Sequence, residues 1–113
     1  MEAGGYSLMD DFYKIIEITN HKGTSRIQHY YLKYIKIVGL IGKIVILERG
    51  KSFILDNILN PRGSYIRGFI MQTSPVMCYV YSKNKDELLV GTVNSIYYLK
   101  RENITTEGCF FHY

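Results

Sequence analysis

Ser7-Leu8-Met9-Asp10-Asp11-Phe12-Tyr13-Lys14-Ile15-Ile16-Glu17-Ile18 is the stretch on which the fold class turns. Read with a helical period, Ser7 caps the segment and Asp10 follows three residues later in the capping-box position. Asp10 and Asp11 then lie in the first turn, where the helix dipole favours acids. At about 100° per residue, Leu8, Met9, Phe12, Tyr13, Ile15 and Ile16 form one apolar arc, with Asp10, Lys14 and Glu17 opposite. The competing reading is a strand from Phe12 to Thr19, because Ile15, Ile16 and Ile18 are β-branched. The arc favours a short helix.

Outward from this stretch the same period returns once. Thr19 to Thr24 is a polar turn, Ser25 and Gln28 repeat the capping pattern, and Gly39 stands where a C-terminal cap belongs. Between them Ile27, Tyr31, Tyr34, Ile35 and Val38 share a stripe, while Arg26, His29, Lys33 and Lys36 gather on the other side. This predicts a second helix.

After Gly39 the period becomes 2. Strands are expected over Lys43 to Glu48, Ser52 to Asp56, Tyr65 to Gln72, Val76 to Ser82, Glu87 to Val93 and Ile96 to Arg101. Thr73-Ser74-Pro75 breaks the third from the fourth, and short turns join most of the others. The expected architecture is α+β: two short N-terminal helices followed by a five- or six-stranded antiparallel meander, in a single domain over residues 1–113.

Composition narrows the function classes. The chain is 47% hydrophobic and 21% charged with two prolines, which excludes a disordered or low-complexity segment. At 113 residues it can bury one core without metal or disulfide staples. The longest uncharged run, Gly68 to Ser82, carries Gln72-Thr73-Ser74-Pro75 at its middle and falls short of the roughly 18 apolar residues of a membrane span. The opening Met1-Glu2-Ala3-Gly4-Gly5 has neither a basic nor an apolar signal region, so a cytoplasmic protein is expected, with Cys78 and Cys109 as buried thiols. Fifteen isoleucines, eleven tyrosines and a single alanine reflect A/T-rich codons. Phages, viruses, mobile elements and low-GC bacteria all fit that bias.

No motif names a reaction. There is no Gly-x-Ser-x-Gly element, ordered triad, His-x-x-x-His or Cys-x-x-Cys, so no catalytic residue, metal ligand or cofactor is assigned. Charge supplies the positive signal. Residues 14–51 hold eight bases against two acids, a local net of +6 within a chain of formal charge +4. Arg26, His29, Tyr30, Lys33 and Lys36 on the expected second helix form a candidate nucleic-acid face, in which the bases neutralise phosphates and Tyr30 stacks. Arg62 and Arg67 join them from a loop, Asn60-Pro61-Arg62-Gly63-Ser64-Tyr65, that matches no nucleotide-binding fingerprint but can bring a guanidinium onto a phosphate.

The leading expectation is therefore a small non-catalytic accessory protein that occupies nucleic acid or a nucleoprotein complex. An interaction module or inhibitor is the alternative. It would dock on a protein, or on a second copy of itself, through Tyr79, Tyr81 and Tyr97 on an aromatic sheet face or through Phe110, Phe111 and Tyr113 in the tail. A metal-independent nuclease using His21 or His29 with Lys33 and a tyrosine ranks third.

Overall fold

The computed structural model describes residues 12–22, 30–31, 35–60 and 62–102; at residues 30–31, 35–36 and 57 only the backbone is described. Eight strands follow in order: β1 (Phe12–Thr19), β2 (Tyr30–Tyr31), β3 (Ile35–Lys36), β4 (Ile41–Ile46), β5 (Ser52–Leu59), β6 (Met71–Tyr81), β7 (Glu87–Thr92) and β8 (Ile96–Glu102). Six of them close into an antiparallel barrel in the order β1-β4-β5-β6-β7-β8, and β2 and β3 form a separate two-stranded ribbon. Among the described residues there is no helix, so none is long and apolar enough to cross a membrane.

This corrects the α+β expectation. From Phe12 onward the expected first helix is strand β1, paired with β4 on one side and β8 on the other. The physical reason is a β-bulge between Ile15 and Glu17. A strand with inward residues at Tyr13 and Ile15 should next turn inward at position 17. The bulge inserts Ile16 and delays the inward residue to Ile18, so the buried positions step by two and then by three. Two consecutive isoleucines at such a step imitate the spacing of a helical stripe. The second expected helix is corrected where it is described: Tyr30–Tyr31 and Ile35–Lys36 are strands. Ile37 and Val38, at the end of the second expected helix, form a bend and a turn, and the remainder of both expected helices lies outside the described residues.

From β4 onward each strand pairs antiparallel with the next. The strand expected over Tyr65 to Gln72 forms only at Met71 and Gln72, because residues 66–70 make a turn with Gly68 at a left-handed φ of 75°, and the break expected at Thr73-Ser74-Pro75 is a bulge inside one long strand. Ser52 pairs with Pro75 and Ile54 with Gln72, leaving an extra residue on β6. The Thr73 hydroxyl accepts from the Phe53 amide at 3.1 Å and donates to the Ser74 carbonyl at 2.6 Å. Pro75 stands where β6 passes from β5 to β7, so its missing N–H leaves the ladder intact, while its carbonyl accepts from Val93.

The interior is built in rows that cross the wall. Tyr81, Leu88, Leu99 and Ile15 are successive cross-strand neighbours, as are Tyr79, Val90, Tyr97 and Ile18. Except for the tyrosines at the β6 end of each row, all are buried. Gly42, opposite Tyr13, makes room: a Cβ there would stand 2.6 Å from Ile58 Cδ1 and 3.0 Å from Leu55 Cβ. On the alternate face of β1, β4 and β5, Phe12, Ile41 and Leu59 form a second buried cluster.

Candidate functional site

Two loops leave the barrel with an asparagine folding the backbone of each. After β5, Asn60 Oδ1 accepts from the amides of Arg62 at 2.9 Å and Ser64 at 3.0 Å, while its own amide donates to the Ser64 carbonyl and its carbonyl accepts from Gly63, both at 2.8 Å. Asn60 and Gly63 are the first and fourth residues of a tight turn, and Gly63 takes the positive φ of 89° that closes it. An isolated bridge then sets Tyr65 opposite Leu59, and the Ile66 amide donates to Ile58. The segment is a small secondary hairpin standing on the end of β5. Arg62 is at its tip, Arg67 follows its base, and both are exposed.

The chemistry of this hairpin lies in what its side chains leave unused. Among the described residues neither the Arg62 nor the Arg67 guanidinium has a hydrogen-bond or ion-pair partner, and the Tyr65 ring, 56% exposed, stands without an aromatic or polar one. Residues 57–85 contain no acid and four bases, Arg62, Arg67, Lys83 and Lys85. No carboxylate in that stretch competes for the two guanidinium groups.

Register extends the basic character onto the wall. Tyr65 faces Leu59, Leu59 pairs with Ile41, Ile41 with Lys14, and Lys14 with Lys100. Lys14 thus stands three strand spacings, about 15 Å, from Tyr65, and the Lys14–Lys100 pair sets two like charges directly opposite, an arrangement that costs stability unless an anion is near. Elsewhere on the wall charges alternate: Lys43 is opposite Asp56 and Lys100 is opposite Glu87 on its other side.

The other expected site residues are distributed as follows. Tyr30 and Lys36 occupy directly opposed positions of the β2–β3 ladder. Arg26, His29, Lys33, Phe110, Phe111 and Tyr113 lie outside the described residues. Tyr97 is buried, and Tyr81 packs half-buried against the core with Tyr13 and Tyr79 rings each 6.2 Å away. Tyr79, Tyr81 and Tyr97 therefore share the inward face, with Tyr79 at its exposed rim. The outward face of β6, β7 and β8 carries instead a row of Val80 (60% exposed), Leu89 (45% exposed) and Tyr98 around a shallow depression. Desolvation raises the Tyr98 phenol above its ordinary pKa, and the Glu87 carboxylate adds to the shift by charge and hydrogen bonding.

Sequence reading passed over Tyr65, Lys14, Lys100, Val80 and Leu89 as site residues. Only Tyr65 carried a usable signal, its place between two arginines in a Gly- and Asn-containing loop. His21, weighed as an acid–base group, donates from Nε2 to the Thr92 carbonyl at 2.8 Å and so ties the end of β1 to the β7–β8 turn. Among the described residues no three His, Cys, Asp or Glu side chains gather as metal ligands. No family model, curated protein or solved structure matches the chain.

Proposed function

We propose that this protein is a small, non-catalytic binding module that acts by occupying nucleic acid, with the β5–β6 hairpin as its contact element. One observation carries the reading: two exposed guanidinium groups without a partner among the described residues, one on a hydrogen-bonded turn and one just beyond it, in a stretch free of acids. A planar fork with unused donors suits phosphate oxygens, and a fixed backbone lowers the ordering cost of contact. Lys14 and Lys100 add sites for phosphate on the adjoining wall. Binding of this kind reads little sequence and weakens steeply with salt. Cys78, expected as a buried thiol, is free and exposed; a free thiol of this kind suits a reducing compartment, and on that ground we infer a cytoplasmic location.

Fluorescence anisotropy with labelled DNA and RNA across a salt series tests the reading. Binding should weaken with salt and be lost in the Arg62→Glu/Arg67→Glu variant. Unchanged affinity in that variant removes the hairpin from the interface.

A second reading rests on the Val80–Leu89–Tyr98 row, since contiguous exposed apolar surface marks protein interfaces. In that case the protein is an interaction module or inhibitor docking on a protein partner, and the basic hairpin steers the approach. Val80→Asp with Leu89→Asp should then abolish partner binding, while Arg62→Glu/Arg67→Glu leaves it intact at high salt.

A further inference from the structure

Resting on the nucleic-acid reading, we infer that the ligand of the β5–β6 hairpin is an unpaired strand, with one base stacked on Tyr65 and the flanking phosphates on Arg62 and Arg67. The described tyrosine side chains divide by how their rings are used. Tyr13 and Tyr97 are buried, Tyr81 is wedged between Tyr13 and Tyr79, and Tyr98 is half-buried on the outward face. Tyr65 alone among them pairs high exposure with an absence of described partners.

Its backbone, by contrast, is fixed. The bridge to Leu59 and the Ile66–Ile58 hydrogen bond lock the residue on either side of its Cα, and the Asn60 turn holds the strand leading into it. A backbone-anchored, solvent-facing ring, flanked in sequence by two arginines whose guanidinium groups have no partner among the described residues, has the composition of a stacking platform: ring for base, cations for backbone. A duplex could use the arginines equally well. It could not use the ring, because its bases already stack on one another.

Lys14 and Lys100 lie about 15 Å from Tyr65 across Leu59 and Ile41, which are buried, so they act as separate phosphate contacts beyond that covered patch.

The experiment compares a labelled single-stranded homopolymer with a duplex of equal length at several salt concentrations, using the full chain and circular dichroism to verify folding of each variant. The single strand should bind more tightly than the duplex. Tyr65→Ala should weaken single-strand binding about tenfold and leave duplex binding unchanged, with Tyr65→Phe close to the parent. Lys14→Ala/Lys100→Ala should lower the salt slope for the single strand by about one to two. Equal or tighter duplex binding, or parent-like single-strand affinity in a folded Tyr65→Ala variant, overturns the stacking inference and leaves the occupancy reading standing. Absence of binding to either ligand at low salt overturns both.

Discussion

The β5–β6 hairpin and the β6–β7 loop start from the same device and end in opposite states. In the β6–β7 loop Asn84 Oδ1 accepts from the Asp86 amide at 3.1 Å, as Asn60 Oδ1 accepts from Arg62. Lys85 takes a left-handed φ of 65°, where Gly63 does so at the other loop. A lysine there is strained, and the surroundings hold it: the Tyr13 hydroxyl donates to its carbonyl at 2.7 Å, and its ammonium lies 5.3 Å over the Tyr81 ring. Arg101 completes the closure, donating to Asp86 Oδ1 at 2.6 Å and to the Asn84 carbonyl at 2.8 Å. Lys85 and Arg101 are both spent on the fold, and Lys83 is the one base of this loop left exposed without a partner among the described residues. In the β5–β6 hairpin the backbone is satisfied in the same way, yet neither guanidinium group has a partner among the described residues. A loop whose cations are absorbed internally is a structural clasp, and one whose cations are left over is equipped to bind.

The contrast breaks most sharply at Tyr13. Tyr13→Ala removes a buried ring from the core and the hydroxyl that holds Lys85. It should cost about 3–5 kcal/mol in chemical denaturation, and a loss below about 1 kcal/mol would show that the clasp does not depend on it. Gly42→Ala, across the ladder from Tyr13, should cost about 1–3 kcal/mol through overpacking against Leu55 and Ile58, read by the same denaturation.

Arg101→Ala should lower stability by about 1 kcal/mol and leave nucleic-acid affinity unchanged. Arg62→Ala and Arg67→Ala should do the reverse, staying within about 0.5 kcal/mol of the parent in stability while weakening binding and reducing the salt slope by about one each. If Arg62→Ala destabilised the fold as much as Arg101→Ala, the division between clasp and contact loop would fail.

The smallest effect belongs to Tyr98, beside Glu87 at the exit of the clasp. Its phenol titrates above the ordinary tyrosine value when folded, so its contribution to stability is complete below the unfolded pKa and is lost as pH rises through the folded one. Ring-labelled NMR titration should find Tyr98 moving down toward the ordinary value in Glu87→Gln.

What the sequence disclosed depended on whether a bulge intervened. Ser52 to Asp56, Glu87 to Val93 and Ile96 to Arg101 lie almost wholly within strands, because period 2 runs there between turn residues. Bulges defeated the reading at Ile16, where a strand acquired helical spacing, and at Thr73-Ser74, where β6 was cut short; the strand expected over Tyr65 to Gln72 failed separately, since only Met71 and Gln72 of it lie in β6. Both bulges are sites where a side chain or partner change absorbs an extra residue, information held in the pairing rather than in the local chain. The basic candidates divided in the same way. Arg62 and Arg67 were legible because turn chemistry placed them on a loop. The freedom of their guanidinium groups was not legible, since it depends on which carboxylates the register brings near. Arg101 has a base's composition too, and only its place beside Asp86 makes it part of the scaffold.

Barrel closure also sets the order of assembly. Phe12 pairs with Glu102, and β1 meets β8 along its whole length, so the first and last described strands share a seam. A nascent chain emerging from the ribosome can form the β4–β5 and β6–β7 hairpins early. It must leave one edge of β1 unpaired until β8 has been synthesised. Such sequence-distant pairing gives a high contact order and folding on the millisecond-to-second scale. That interval is when an exposed β1 edge, rich in isoleucine, is open to pairing with another chain.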